Sequence, residues 1–379
     1  MESLSHCIYC NTCVNKIVEN ESFLFVSLTR WKLDEDMKDA IVVGSLLAIL
    51  SGLMNGSFTL PMRFLGRWEW ENVWSLFIVG SCLLMPAVIL RATAPQSWTV
   101  IAHAPRHAVW IATGAGFAWG FGAIMFGQSV SAIGISLANT LVLAISSALG
   151  SFFPMLLLAP QKLLTPTGKM ILAGVGIEIV GIILCGLAGR CREQTIGVGG
   201  ERGDLVGRPR PLSVALLLAI GAGVLSAVFN IGFALAKPIA EYGRSAGLSE
   251  FASTNLTWWL MLAAGSIANL VFCGYLLVRN RSLAKFTQDG PARLYGLAGL
   301  MAVLWGGSIF VYGAAAPRLG PLGTSIGWPL SLATGLLLAN AIGVGLGEWR
   351  RTPAGAKRLM YSGILFLLIA IVVLSRASY

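Results

Sequence analysis

The chain has 379 residues, of which 56% are hydrophobic and only 12% are charged, and its mean hydropathy is +0.75. A soluble domain carries about 25% charged residues, so this composition excludes an ordinary water-soluble protein. The formal charge of +10 does not indicate a nucleic-acid partner, because most Lys and Arg fall in short connections between apolar runs. There they set orientation and meet the anionic headgroups of a lipid bilayer.

Residues 1–38 differ in composition from the rest of the chain. They contain a short run of potential metal ligands, namely His6, Cys7, Cys10 and Cys13. The cysteine spacing lacks the fourth ligand of a ferredoxin run, and no cofactor is predicted from it. We expect an N-terminal extension that is disordered, or a start codon assigned too early, with Met37 as the true beginning.

The remaining chain consists of apolar runs of about 20 residues, the length that a helix needs to cross a bilayer core. The pattern predicts an all-α, polytopic membrane protein. Its ten predicted spans lie near 40–60, 73–91, 108–128, 133–158, 168–188, 212–236, 253–278, 294–315, 319–346 and 358–375.

Two sets of residues recur in the second half of the chain, and within each set every interval is preserved. Trp119-Gly120, Phe126-Gly127 and Gly134 recur as Trp305-Gly306, Tyr312-Gly313 and Gly320. Ser51, Asn55 and Phe58 recur as Ser226, Asn230 and Phe233. Five spans per half is an odd number, so the sequence predicts an inverted repeat of two five-helix halves, an arrangement found in many secondary transporters. The halves would be 39–189 and 212–379, joined by a polar loop at 190–211.

The connections of one side carry more Lys and Arg than those of the other. The basic face is defined here by the connections near 61–72, 129–132, 189–211, 279–293 and 347–358. These hold 15 Lys and Arg, against 7 in the connections of the opposite face. Because positive loops stay in the cytoplasm, we expect the basic face to be cytoplasmic.

Several short motifs resemble those of one transporter family. They are Arg67-Trp68-Glu69-Trp70-Glu71 with Trp74, Trp119-Gly120, Ala236-Lys237-Pro238, Ile267-Ala268-Asn269-Leu270 with Phe272-Cys273, Trp328, and Glu348-Trp349. Over residues 40–376 the chain resembles the L-rhamnose–proton symporter family of the drug/metabolite transporter superfamily. The resemblance implies ten helices that carry a methylpentose inward with a proton across the bacterial inner (cytoplasmic) membrane.

The chain departs from that family in one stretch. Enterobacterial members carry a Tyr-Asp-Tyr run just before the tryptophan that matches Trp328, whereas this chain has Gly-Thr-Ser-Ile-Gly at 323–327. An acidic residue near the expected sugar site is therefore absent. The alternative is a carrier or exporter of the same superfamily that moves another small polar solute.

A sugar site needs amides for the hydroxyl groups and an aromatic ring for the apolar face of the sugar. Polar groups at membrane depth must face a cavity or each other, because an unpaired polar group in lipid costs several kcal/mol. The predicted substrate-binding residues are Asn55, Trp119, Gln128, Asn139, Asn230, Trp305 and Trp328, with Asn269 and Asn340 as further amides. Bridging between neighbouring helices is the alternative role for an amide. Interfacial positions are expected for Trp68, Trp70, Trp74, Trp98, Trp258, Trp259 and Trp349.

Few ionisable residues lie deep within a span. Glu178 is one, and an ionisable residue at membrane depth is by default a functional hypothesis. Burial favours the neutral form of a carboxyl group, which suits a proton carrier, although a permanently protonated acid at a helix interface would look the same. Arg63, Lys237 and Glu348 lie at span ends, where they either form gating ion pairs or extend to the interface.

Other classes of membrane protein fit less well. An intramembrane enzyme is not predicted, because His-Glu-x-x-His and Gly-x-Ser-x-Gly are absent and the only histidines, His6, His103 and His107, lie outside the spans. The phosphate-binding Gly-x4-Gly-Lys-[Ser/Thr] motif of ATP-driven pumps is also absent. A structural or signalling protein would not need polar amides at matched depths in both halves. The expected partners are a small sugar, a proton and the bilayer, and the oligomeric state stays open.

Overall fold

The computed structural model describes residues 38–66, 68–133, 135–196, 211–287 and 291–377. Within these ranges ten helices are long and apolar enough to cross a membrane, which confirms the predicted number of spans, and no β-strand is present. The helices are α1 (Lys38–Ser57), α2 (Trp70–Thr93), α3 (Arg106–Ile133), α4 (Ile135–Leu158), α5 (Pro166–Ile196), α6 (Leu212–Leu235), α7 (Glu250–Arg279), α8 (Pro291–Arg318), α9 (Gly323–Gly345) and α10 (Ala354–Arg376). The expected N-terminal extension, residues 1–38, lies outside these ranges except for Lys38.

The helix boundaries follow from local chemistry. Helix α7 begins after Ser249, whose hydroxyl accepts a hydrogen bond from the backbone N–H of Ala252 at 3.2 Å. Its first turn carries Glu250 and its last turn carries Arg279, so both charges complement the helix dipole. In α2 a π-helical turn at Val79–Leu84 comes just before Pro86, which lacks the N–H that a regular turn would use.

The largest helix contacts join parts of the chain that lie far apart in sequence, and some consecutive helices also pack together. Helix α3 lies against α6 and α7, α4 lies against α5, α6 and α9, and α5 runs beside α10. Helix α8 contacts both α2 and α9. Much of the interior is therefore built from contacts between the first five helices and the last five.

Glycines allow the closest of these helix contacts. A Cβ at Gly116 would collide with the backbone of Met261, and one at Gly120 with the carbonyl of Gly265, where α3 crosses α7. A Cβ at Gly56 would likewise collide with the backbone of Gly335, where α1 crosses α9. Small residues in membrane helices let backbones approach in this way, so these crossings fix how near the helices can come.

The crossing of α3 and α7 generates a stability prediction. We expect Gly116→Ala to destabilise the protein by about 1–3 kcal/mol, the usual range for overpacking a tight interface. The matched control is Gly114→Ala on the same helix, where an added Cβ meets no atom within 4 Å and alanine favours the helix. Thermal unfolding of purified protein in detergent measures both variants. Equal melting temperatures for the two would contradict the close approach of α3 to α7.

Candidate functional site

A cavity of about 670 Å³ lies between the helices and opens toward the basic face. Its walls come from α1 to α6, α8 and α9 and from the connection that follows α9. Its outermost lining residues, such as Thr59, Val130 and Gly189, are at the helix ends of the basic face. The volume is in the range of small-molecule sites, about 300–1,000 Å³.

The two repeated tryptophans meet at the inner end of the cavity. The rings of Trp119 and Trp305 are stacked, with centroids 5.2 Å apart and planes 14° from parallel, and both rings line the cavity. Phe77 contacts Trp305 edge-on at 5.5 Å, and Phe229 contacts Trp119 at 5.0 Å. Two tryptophans from opposite halves of the sequence therefore form one aromatic contact in the middle of the molecule.

Three amides give the cavity wall its hydrogen-bonding capacity. The side chains of Asn55 and Asn139 line the cavity and make no hydrogen bond to any residue within the described ranges. Asn340 donates from Nδ2 to the Leu336 carbonyl at 2.9 Å, and its Oδ1 accepts no hydrogen bond from the described part of the chain. An amide offers two donors and an acceptor, so these groups are available to a polar ligand or to water.

A second pair of stacked tryptophans forms one side of the cavity. Trp70 and Trp74 line it, with ring centroids 5.1 Å apart. The indole N–H of Trp74 donates to Oδ1 of Asn269 at 3.0 Å, and Nδ2 of Asn269 donates to the Gly120 and Gly265 carbonyls. Asn269 is thus fully hydrogen-bonded and holds Trp74 in place, the bridging role that the sequence left open for an amide.

An ion pair closes part of the cavity rim. Nη1 of Arg192 lies 2.5 Å from Oε2 of Glu348, and the two side chains are only 20% and 21% exposed. The guanidinium of Arg192 also lies 5.0 Å from the ring centroid of Trp349. The contact joins the end of α5 to the connection between α9 and α10, and both charged residues line the cavity.

The opposite face is closed by a packed set of side chains, named here the opposite-face cluster: Asn230, Phe233, Trp258, Tyr312 and Trp328. Phe233 stacks on Trp258 at 4.1 Å, and Tyr312 contacts Trp328 edge-on at 5.4 Å. The Tyr312 hydroxyl donates to Oδ1 of Asn230, and Nδ2 of Asn230 donates to the Gly150 carbonyl at 2.8 Å. Every member is less than 9% exposed, and neither Asn230 nor Trp328 is among the residues that line the cavity.

Glu178 lies between the cavity and the opposite face. It is fully buried, and its Oε2 accepts a hydrogen bond from the Ser147 hydroxyl at 2.5 Å. Its Oε1 has no hydrogen-bond partner among the described residues. Leu143 and Ile182, one helical turn away on α4 and α5, line the cavity. The Glu178–Ser147 pair is therefore one turn beyond the inner wall of the cavity.

The other predicted residues lie away from the cavity. Gln128 is half-buried on α3 and does not line it. Lys237 is exposed and forms an ion pair with Glu241 at 3.1 Å. The two residues are one turn apart on a short helix, Lys237–Ser245, that follows α6. The side chain of Arg63 lies outside the described part of the chain. Neither cation is placed in a gate by these contacts.

Some tryptophans expected at the membrane interface are elsewhere. The prediction was wrong for Trp258, which is 0% exposed in the interior, and Trp70 and Trp74 line the cavity instead. Hydropathy alone could not separate these cases, because a tryptophan near a span end fits an interface, a core or a cavity equally well. Arg192 was missed for a similar reason, since it falls in an arginine-rich connection where most cations face water.

The Trp-Glu-Trp-Glu motif at 68–71 docks one connection of the basic face onto another. Oε1 of the buried Glu71 accepts hydrogen bonds from Nδ2 of Asn280 at 3.0 Å and from the Ser282 hydroxyl at 2.7 Å. Glu69 is more exposed and pairs with Lys285 at 2.5 Å. The motif therefore ties the start of α2 to the end of α7.

Comparison with known proteins gives matches along almost the whole chain. The profile of the L-rhamnose-proton symport protein family matches residues 37–378. The L-rhamnose-proton symporter of Cronobacter sakazakii (strain ATCC BAA-894) is 25% identical over 341 residues, which cover 88% of this chain and 97% of that relative. The L-rhamnose-proton symporter of Yersinia pestis (strain Pestoides F) is 23% identical over the same shares. The profile match includes all ten helices.

The motif at 68–71 generates a second stability prediction. We expect Glu71→Leu to lower the free energy of unfolding by about 1–3 kcal/mol, because it leaves the buried Ser282 hydroxyl without an acceptor and also removes the acceptor of the exposed Asn280 amide. Glu69→Leu, two residues away, removes only an exposed ion pair and should change stability by less than about 1 kcal/mol. Thermal unfolding in detergent compares the two. A larger loss for Glu69→Leu than for Glu71→Leu would contradict the buried network.

Proposed function

The chain belongs to the L-rhamnose-proton symport protein family, and on this premise we propose that it is a secondary active transporter. It takes an L-rhamnose-like methylpentose together with a proton across the bacterial inner (cytoplasmic) membrane by alternating access. The observation that carries the proposal is the cavity of about 670 Å³, whose wall combines tryptophans with amides that have no hydrogen-bond partner among the residues the structure describes. Transport, and no enzymatic step, is the role assigned.

An inverted repeat of 39–189 and 212–379 is the proposed architecture, with 190–211 as the connecting loop. Contacts of repeat-related residues support it. Ser226 of α6 accepts a hydrogen bond from Ser146 of α4 at 2.9 Å, and Ser51 of α1 lies 3.0 Å from Ser331 of α9. These pairs match if α1 corresponds to α6 and α4 to α9. The stacking of Trp119 on Trp305 agrees with a pseudo-twofold axis through the centre.

This conformation is proposed to face inward. The cavity opens toward the basic face, which the excess of Lys and Arg assigns to the cytoplasm. The opposite face is closed by the opposite-face cluster. In an alternating-access cycle this is the state that releases the sugar and the proton into the cytoplasm.

Sugar recognition is proposed to depend on the amides of the cavity. Asn55, Asn139 and Asn340 present unpaired hydrogen-bonding atoms to the cavity, and sugar hydroxyls can both donate to and accept from an amide. The tryptophans supply apolar faces for the methyl group and the C–H bonds of the ring. Arg192 and Glu348 are proposed to gate the rim through their ion pair.

Binding of the sugar is tested by replacing one amide of the cavity. We expect Asn55→Leu to weaken methylpentose binding by at least about tenfold, because a site built for hydroxyls is left with an unpaired partner. Gln128→Leu, on a side chain that does not line the cavity, is the matched control and should bind normally. Calorimetric titration with deoxy-hexoses, pentoses, amino acids and nucleosides measures affinity and solute class together. Tightest binding of a non-sugar would contradict the proposed substrate.

Glu178 is proposed to carry the proton. Helix α5, which carries Glu178, packs against α4, α9 and α10. Helices α4 and α9 contain no Asp, Glu, His, Lys or Arg, and the charged residues of α10, namely Lys357, Arg358 and Arg376, lie near its ends. An ionisable side chain at membrane depth is by default a functional candidate, and proton relays use such carboxyl groups. Ser147 can donate to the carboxylate and leave room for the proton on the unpaired Oε1.

The proton role has a transport assay that separates it from sugar binding. We expect Glu178→Gln to lose accumulation driven by a pH gradient, because the amide stays neutral in both states, while sugar counterflow continues in proteoliposomes. Glu241→Gln, which alters an exposed carboxylate at the opposite face, should keep both activities. If Glu178→Gln accumulates sugar with the original pH dependence, another group carries the proton.

A further inference from the structure

Repeat-related residues have contrasting surroundings in this structure. Asn55, Phe58 and Phe126 line the cavity. Their counterparts in the two recurring sets are Asn230, Phe233 and Tyr312, and these three belong to the opposite-face cluster. These three positions are thus open to the cavity in the first half and tightly packed in the second half. Ser51 and Ser226 show the reverse, and Trp119 and Trp305 both line the cavity.

Contacts extend the correspondence to α2 and α7. A Cβ at Gly120 would collide with Gly265 of α7, and one at Gly306 would lie 3.3 Å from the Cα of Ser81 of α2. Gly120 and Gly306 are repeat-related. The residues that they approach, Gly265 on α7 and Ser81 on α2, therefore occupy corresponding positions in the two halves. Trp74 and Trp258 have the same separation in sequence as Ser81 and Gly265. Again the first tryptophan lines the cavity while the second is in the opposite-face cluster.

The helices α4 and α9 follow the same rule. Ser146 and Ser331 are counterparts, because they bond to the repeat-related Ser226 and Ser51. Equal spacing from these serines pairs Leu143 with Trp328 and Asn139 with the half-buried Thr324. Leu143 and Asn139 line the cavity, whereas Trp328 is in the opposite-face cluster. The Thr324 carbonyl accepts a hydrogen bond from Nδ2 of Asn230 at 3.3 Å. Four pairs of helices therefore give the same contrast.

Polar atoms without partners accompany the packed side of this contrast. Nε1 of Trp258 and Oγ of Ser325 have no hydrogen-bond partner among the described residues, although Trp258 is 0% and Ser325 is 1% exposed. Both amide atoms of Asn255, one turn before Trp258, are also unpaired and buried. Buried polar groups nearly always have a hydrogen-bond partner, so these unpaired atoms call for a functional explanation.

We propose that the opposite-face cluster, together with Ser325, is the closed second half of the sugar pathway. In the other state of the cycle these side chains separate and line a vestibule that opens to the opposite face. There the unpaired indole and hydroxyl groups meet water and the hydroxyls of the sugar, as the amides of the cavity do in this state. This inference rests on the transport function proposed above and assigns it a second, outer sugar-binding surface.

The bond between Tyr312 and Asn230 is the latch of the closed vestibule. It joins α8 to α6 at the centre of the opposite-face cluster, and the cavity counterpart of Tyr312 is Phe126, which has no hydroxyl group. Ser325 lies three residues before Trp328 and so on the same face of α9. A thiol at position 325 therefore reports whether the cluster has opened.

Thiol labelling tests the vestibule. Ser325→Cys is made in a full-length, transport-competent background whose seven native cysteines are replaced, and a membrane-impermeant maleimide is added to sealed membranes of either orientation without sugar. We expect labelling from the opposite face. The control is Leu374→Cys, because Leu374 is fully buried near the end of α10 that lies at the opposite face. This thiol should stay unlabelled. Asn139→Cys, in the cavity, should react from the basic face.

The outcomes separate the inference from the proposed function. A Ser325→Cys protein that transports sugar but never reacts from the opposite face overturns the vestibule and leaves the transport function intact. Equal labelling of Leu374→Cys overturns it too, because the face would then be loosely packed throughout. Labelling as expected in a protein that binds no methylpentose supports the vestibule and refutes the proposed substrate.

The latch has its own directional test. Adding Tyr312→Phe to Ser325→Cys should raise the labelling rate from the opposite face by about 2- to 10-fold, since one hydrogen bond of the closed state is lost. Tyr295→Phe on the same helix, whose exposed hydroxyl is 3.4 Å from the Phe286 carbonyl, should leave the rate unchanged. An unchanged or lower rate with Tyr312→Phe overturns the latch.

Discussion

A polar group at the depth of the hydrocarbon core must find a partner within the protein or face water. This constraint divides the deep amides of the chain into two kinds. Asn269 satisfies its own hydrogen bonds between α2, α3 and α7 and thereby positions Trp74. Asn55 and Asn139 have no such partners in the described part of the chain and lie in the wall of the cavity. The remaining architecture can be understood as the means of keeping these two environments apart.

The helix crossings make that separation possible. Glycines at the contacts of α3 with α7 and of α1 with α9 remove the side chains that would keep the helices apart. At these two crossings the helix backbones are in direct contact, so the cavity lies elsewhere between the helices. The Trp119–Trp305 stack marks its inner end, and the short connections at the basic face are tied together by Glu71.

Much of this architecture could be predicted from the sequence. Length and hydropathy identified the ten helices, because the bilayer imposes one length on every span. The repeat of Trp119-Gly120 at Trp305-Gly306 singled out two tryptophans as substrate-binding candidates, and both line the cavity. Their stacking on each other was not predicted. Equal spacing could not tell that Asn55 lines the cavity while Asn230 is sealed, because that difference belongs to the conformation. The Arg192–Glu348 pair joins residues 156 positions apart, and no local pattern indicates it.

Under the proposed repeat, the positions where the two halves differ help to explain why this face is the closed one. Phe126 corresponds to Tyr312, whose added hydroxyl bonds to Asn230. Leu143 corresponds to Trp328, whose larger ring contacts Gly150 and donates to Ser146 at 3.2 Å. Both differences add contacts to the opposite-face cluster and none to the cavity wall. In the proposed alternating-access cycle, two equivalent halves would leave the inward and outward states equal in free energy, so these differences would favour the state that opens to the basic face. A bound sugar and proton would then need to offset the free energy of these added contacts before the opposite face could open.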